Sequence, residues 1–252
     1  MAYGVFYQNP ENKYFGATPL NYQRAEHYVL QVQKSFEGRS LRLEAFYKTY
    51  ADLIKTKVVD YRPIAVNNNG DGYAKGLELF WRDKKSITNI DYWISYSFLD
   101  SKRNFQNYDR SLFPNFAAKN TLSVVAKKFV TDWKTGFNLS YTYTSGRPYY
   151  FFNTDNDGKS YLQNQGRLKD YNSLNFSLNY LPNLGKKDAK MFTVLVLSIN
   201  NVLGQKNIYG YNFSTDGLRR SPVMPSTNTF VFIGAFISFG IDRTEDAINN
   251  NL

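Results

Sequence analysis

Residues 90–98, Ile-Asp-Tyr-Trp-Ile-Ser-Tyr-Ser-Phe, change side at every step, and that period constrains the chain more than any other feature. Ile90, Tyr92, Ile94, Tyr96 and Phe98 fall on one face, and Asp91, Trp93, Ser95 and Ser97 on the other. A helix needs a repeat of about 3.6 residues, so this is a strand with one apolar and one wet face. The pattern recurs. Leu41, Leu43, Ala45 and Tyr47 oppose Arg42, Glu44, Phe46 and Lys48, and Leu77, Leu79 and Trp81 oppose Gly76, Glu78 and Phe80. Phe137, Leu139, Tyr141 and Tyr143 interleave with Asn138, Ser140, Thr142 and Thr144, and Leu174-Asn-Phe-Ser-Leu-Asn-Tyr180 repeats the scheme. The last such run is Phe230 to Gly240, with Val231, Ile233, Ala235, Ile237 and Phe239 in the apolar phase.

From the second strand onward the connections alternate in length. Glu37–Ser40, Asp83–Ser86 and the turn near Val130–Asp132 are tight, and 182–190 is shorter than its neighbours. Between them lie long tracts at about 54–71, which holds Asn67-Asn-Asn-Gly-Asp-Gly72, then 100–117 and 146–169, and a loop that includes Tyr209 to Arg220. In an up-and-down meander this puts every long connection on one rim. Strands whose second face carries this many charges do not suit the covered core of a soluble sandwich. The fold class is therefore all-β, an antiparallel up-and-down meander of about ten strands forming part of a transmembrane β-barrel over residues 1–240, with a polar tail at 241–252. No run approaches eighteen apolar residues, which speaks against a membrane helix but not against spanning strands of about ten residues.

With the long loops external, Trp81, Trp133, Tyr180 and Phe239 fall near the inner ends of their strands, and Tyr96, Phe98, Tyr141 and Tyr143 near the outer ends, all in the apolar phase. Aromatic rings favour the two headgroup regions, so these read as membrane girdles. Arg42, Glu44, Glu78 and Asp91 then face the lumen.

The formal charge of +10 raises nucleic acid as a partner, but the cations are scattered and the tightest pairs, Lys127-Lys128 and Lys186-Lys187, sit in no nucleic-acid motif. The expectation is no nucleic-acid binding. Absence of cysteine excludes thiolate metal sites, disulfides and a cysteine nucleophile. His27 is the only histidine, and with Glu26 beside it at the start of a strand it reads as a solvated polar residue. Asp155 and Asp157 resemble the opening of a calcium loop, yet Lys159 stands where the next ligand belongs and Gly166 where the closing Glu belongs. That stretch reads as an external turn. No catalytic residue, metal site or cofactor is expected.

Ala25-Glu-His-Tyr-Val-Leu30, Leu43-Glu-Ala-Phe-Tyr-Lys48, Asn69-Gly-Asp-Gly-Tyr-Ala-Lys-Gly-Leu-Glu78, Asn200-Asn-Val-Leu-Gly204 and Phe232 to Gly240 occur in an order and spacing that resemble the C-terminal part of a TonB-dependent outer-membrane receptor of the Bacteroidetes type. The resemblance implies a bacterial outer-membrane location and a barrel of 22 strands with an N-terminal plug. It also implies import of a scarce nutrient such as a ferric siderophore or cobalamin, driven by the TonB complex. The implied partners are outer-membrane lipid, the TonB complex through the plug region, the barrel-assembly machinery and a small nutrient ligand. Residues 1–8 lack a signal-peptide pattern and read as mid-strand, so the chain is expected to be roughly the last half of such a barrel, without the plug and not transport-competent alone. Phe239 matches the terminal aromatic that serves as the assembly signal, although here a polar tail follows it.

Two loops combine aromatics with cations that suit an anionic or aromatic ligand. They carry Arg147, Tyr149 and Tyr150, and Tyr209, Tyr211, Arg219 and Arg220. Two rival readings stay open: a complete ten-stranded outer-membrane pore, and a soluble basic β-protein that binds polyanions or glycans.

Overall fold

The computed structural model describes residues 1–14, 19–59, 62–186 and 191–240. Its strands are β1 (Ala2–Gln8), β2 (Gln23–Phe36), β3 (Arg39–Val59), β4 (Arg62–Asp83), β5 (Ile90–Asn104), β6 (Asn120–Val130) and β7 (Thr135–Thr144). They continue as β8 (Pro148–Thr154), β9 (Ser160–Arg167), β10 (Tyr171–Tyr180), β11 (Met191–Asn200), β12 (Gly210–Phe213), β13 (Arg220–Val223) and β14 (Phe230–Phe239). Ten of these form one sheet in the order β1-β2-β3-β4-β5-β6-β7-β10-β11-β14, while β8-β9 and β12-β13 are separate hairpins. Neighbours in the large sheet are antiparallel throughout, so the all-β meander read from the alternation is the fold.

Register carries each apolar face onto the next. Leu43 lies opposite Leu79, Leu79 opposite Tyr96, Tyr96 opposite Leu122 and Leu122 opposite Tyr143, and the row resumes with Leu178 opposite Leu197 and Leu197 opposite Ile233. This face is not buried: Ile233 is 79% exposed, Val32 62% and Leu77 58%. A surface this apolar and continuous demands an apolar surrounding rather than water. The opposite face is polar along β2 to β10, but β14 brings Phe230, Phe232 and Phe236 to it, so the last strand is apolar on both sides.

The turns β2–β3, β4–β5, β6–β7 and β10–β11 share one rim. Their hydrogen bonding fixes them. At β4–β5 the carboxylate of Asp83, 1% exposed, accepts the N–H groups of Lys85 and Ser86 and pairs with Arg39 at 3.1 Å. At the same rim Phe129, Leu181, Leu184 and Phe192 form a small core, with Val194 packed against it.

The structure corrects three expectations about the connections. The tract 54–71 is mostly strand: β3 runs to Val59 and β4 starts at Arg62, with bulges between Tyr50 and Thr56. The glycines of Asn67–Gly72 serve close packing rather than a turn. A Cβ at Gly70 would lie 2.5 Å from the carbonyl oxygen of Asn104, and one at Gly72 2.6 Å from that of Lys102. Likewise, 146–169 and the stretch around 209–223 each contain a hairpin. The tail expected at 241–252 lies outside the described residues.

Candidate functional site

The two hairpins meet above the long-loop rim. Tyr149 of β8 meets Tyr211 of β12 edge-on, with ring centres 5.0 Å apart, and Phe213 packs against Tyr149 at 5.9 Å and Phe151 at 5.1 Å. The guanidinium of Arg220 in β13 lies 4.6 Å from the ring centre of Tyr211 and 5.0 Å from that of Tyr149. A cation held against two ring faces gains from both quadrupoles. The turn between β12 and β13 needs Gly217, at φ +69°, because a Cβ there would sit 2.2 Å from the Phe151 ring. Asp216 closes the same turn, and the hydroxyl of Ser214 and the N–H of Leu218 hold its carboxyl below the usual range.

Arg147 joins the cluster from its edge, donating to the carbonyl oxygen of Tyr209 at 3.0 Å, and Tyr209 stacks near Tyr171 at 6.4 Å. Below them lies a cavity of about 370 Å³ lined by Phe116, Thr121, Thr144, Arg147, Leu168 and Tyr209. The structure does not bring Tyr150 or Arg219 into the ring cluster. Tyr150 turns to a second group, 5.6 Å from Tyr108 and 6.0 Å from Phe152, and its hydroxyl donates to Phe113 O at 2.9 Å. Burial raises the Tyr108 phenol above its ordinary pKa. Arg219 is exposed, and its N–H donates to the Ser214 hydroxyl.

Several participants escaped the sequence reading. Phe151, Phe213 and Tyr108 belong to these clusters, and Arg103 lies 4.1 Å from the ring centre of Tyr50, with Phe105 and Phe116 beyond. Their partners come from other connections, so no local spacing marks them. Tyr3, Tyr28 and Tyr47 form a ladder across β1, β2 and β3 on the apolar face, and the strand phase alone marks Tyr28 and Tyr47.

On the polar face Glu44 and Glu78 are direct cross-strand partners, and Arg42 lies over Phe80 at 5.7 Å. Asp91, 3% exposed, is tied down by Arg82 at 2.9 and 2.5 Å, with Lys84 at 3.8 Å. On the apolar face Trp81 sits near Phe36, Trp133 lies in the turn before β7, and Tyr180 and Phe239 end their strands. At the other rim Tyr96 donates to Asn120, Tyr141 to Asn172 and Tyr143 to Asp170, while Lys119 lies 5.6 Å from the Phe98 ring centre.

His27 packs on Phe6, and Glu26 accepts from Arg24 and Tyr28. The Asp155 carboxylate accepts the N–H groups of Asp157 and Lys159, so it closes its own turn. Among the described residues no group of three or more His, Cys, Asp or Glu could hold a metal ion.

A sheet with one continuous exposed apolar face, a mainly polar face opposite, and all long loops on one rim is the wall of an outer-membrane β-barrel. The model of the TonB-dependent receptor-like β-barrel family matches residues 2–202. The chain belongs to that family, whose barrels lie in the bacterial outer membrane. Its fold resembles the ferric yersiniabactin uptake receptor FyuA from Yersinia pestis, at 15% identity and a TM-score of 0.64, covering 94% of this chain and 34% of that one. It also resembles the ferripyoverdine receptor of Pseudomonas aeruginosa bound to ferripyoverdine, at 11% identity, a TM-score of 0.66 and coverage of 94% and 30%. A third is the outer-membrane transporter YddB from Escherichia coli, at 14% identity, a TM-score of 0.62 and coverage of 87% and 33%. The chain thus spans about a third of the length of these receptors. No curated protein matches its sequence.

Proposed function

We propose that this chain is the C-terminal barrel wall, over residues 1–240, of a receptor that imports a scarce nutrient such as a ferric siderophore or cobalamin under the drive of the TonB complex. The apolar face meets lipid, with Trp81, Trp133 and Tyr180 at the inner girdle and Tyr96, Phe98, Tyr141 and Tyr143 at the outer one. Arg42, Glu44, Glu78 and Asp91 line the lumen on the side of the plug that the family carries. Phe239 is the residue offered to the barrel-assembly machinery. The chain contributes recognition rather than catalysis.

The observation that carries the ligand reading is Arg220 held between Tyr149 and Tyr211, which come from different hairpins. An exposed cation framed by aromatic rings suits a ligand that is both anionic and unsaturated. Arg147, Tyr150, Tyr209 and Arg219 lie along the same loops. Ferric siderophore receptors among the structural neighbours favour an iron complex over other nutrients. The test is binding of a panel of ferric siderophores and cobalamin to cells that display the receptor carrying this chain. Arg220→Ala with Tyr211→Ala is expected to lower binding of one panel member at least about tenfold, as for loss of a central aromatic and arginine anchor. Unchanged binding of every panel member would reject the site.

A further inference from the structure

β8 is a two-faced strand. Tyr149 and Phe151 point to the ligand cluster, against Tyr211 and Phe213, while Tyr150 and Phe152 point the other way, against Tyr108 of the β5–β6 connection. Tyr108 is 4% exposed, stacks on Phe152 with ring centres 5.4 Å apart and meets Phe105 edge-on at 5.0 Å. Its hydroxyl accepts the N–H of Asn115 at 3.3 Å, so ring and hydroxyl are both held. Among the described residues Tyr108 has no ring contact with β12 or β13, and it reaches the cluster only through β8.

The connection that carries Tyr108 is fastened to the outer half of β3. Gln106 donates its N–H to Ile54 O at 2.6 Å and its carbonyl accepts that of Thr56 at 3.0 Å, and Arg103 and Leu112 exchange backbone bonds at 2.8 and 3.0 Å. The ammonium of Lys55 donates to the carbonyl oxygen of Tyr108 and, at 2.6 Å, to the side-chain oxygen of Asn104. The β8–β9 hairpin is gripped as well. Leu162 N–H donates to the Asp109 carboxylate at 3.1 Å, and Val58 N–H donates to Gly158 O at 3.2 Å. A Cβ on Gly158 would lie 2.8 Å from Val58 O, so only glycine lets the hairpin tip come this close. Side chains locked by packing and hydrogen bonds behind a binding site hold it to its working geometry.

We infer that Tyr108, anchored by Lys55, is a positioning residue of the ligand cluster: it sets where β8 holds Tyr149 and Phe151, and through them the Arg220 guanidinium, without touching the ligand. The inference rests on the reading of that cluster as the ligand site. It also gives Tyr150 a part, because its hydroxyl bond to Phe113 O seats the same face of β8.

The experiment is a double-mutant cycle on cells that display the receptor carrying this chain, with binding of the ferric siderophores and cobalamin scored per displayed receptor. Tyr108→Ala is expected to weaken, about tenfold for lost ring contacts, the same panel member that Arg220→Ala with Tyr211→Ala weakens. Tyr108→Phe, which keeps the ring, should bind as the parent does. Added to Arg220→Ala with Tyr211→Ala, Tyr108→Ala should lower binding little further, because residues that act through one unit do not add. A full further loss in that background, or no loss in the parent, overturns the inference while the ligand site stands. Lys55→Met, which frees the connection from β3 and removes no ring, should lower binding about threefold. If Tyr108→Ala is not displayed, unchanged binding in Lys55→Met overturns the inference. Unchanged binding of every panel member in Arg220→Ala with Tyr211→Ala removes the ligand site and the positioning role together.

Discussion

Glu44 and Glu78 stand directly opposite each other on β3 and β4, both on the polar face. Like charges at such positions destabilise a sheet by about 0.2–1 kcal/mol. In the proposed receptor a cationic group in the lumen would offset that cost. Glu78→Gln should therefore stabilise the chain refolded without a plug, read as a higher midpoint in urea. A lower midpoint would mean that the two carboxylates already share a cation within this wall.

Arg220 fastens two hairpins that share no backbone ladder. Arg220→Ala should release the contact between Tyr149 and Tyr211 and cost about 1–2 kcal/mol in local opening, for two partly exposed cation–π contacts. Faster amide exchange across β12, with β10 unchanged, is the expected readout. Protection that stays the same in both would show that the hairpins hold together through Phe151 and Phe213 alone.

Asp170 ties the long connection to the end of β7. The N–H of Gly146 and the hydroxyl of Tyr143 hold its carboxyl below the ordinary carboxylate range. Because the folded value is depressed, the tie is fully present above the unfolded value of about 4 and is lost as pH falls through the folded one. The protection of the Gly146 amide, relative to its intrinsic exchange rate, should therefore fall as pH drops below the ordinary carboxylate value of about 4. Asp170→Asn should remove that pH step, and a step that survives in the variant would assign it to another group.

Gly76 sits where three strands converge. A Cβ there would lie 2.3 Å from Phe98 O and 2.6 Å from the Phe46 ring. Gly76→Val should cost on the order of 1–3 kcal/mol through overpacking. Urea unfolding in detergent checks this, and a cost near zero would mean that β4 and β5 separate there without penalty.

Much of the wall was legible because one surface selects apolar residues and the other polar ones, so strands such as β5, β6, β7 and β10 announce their phase at every residue. The outer halves of β3 and β4 were not legible. Their apolar residues come in runs, Leu53-Ile54 and Ile64-Ala65-Val66, rather than at every second position, and Asn67–Gly72 carries the composition of a turn while its glycines allow β3 and β5 to approach β4. The aromatic content of the loops at Tyr149 and Tyr211 could be read locally. Their pairing could not, since Arg220 reaches Tyr149 across 71 residues of chain and no periodic signal spans that distance. Tyr150 and Arg219 show the same limit: they share the composition of the cluster, but Tyr150 packs on Tyr108 and Phe152, and the bond that Arg219 makes to Ser214 is through its backbone N–H.

The central claim is that one face of this meander meets lipid and the other the lumen, and adjacent residues on β10 test it most directly. Leu178 lies in the apolar row between Phe137 and Leu197, and Asn179 points to the other face between Gly136 and Val196. Refolding into lipid vesicles should show Leu178→Arg costing about 1–3 kcal/mol, between the midplane and interface values for arginine facing lipid, with Asn179→Arg costing much less. Equal costs, or a greater cost at Asn179, would contradict the assignment of the two faces.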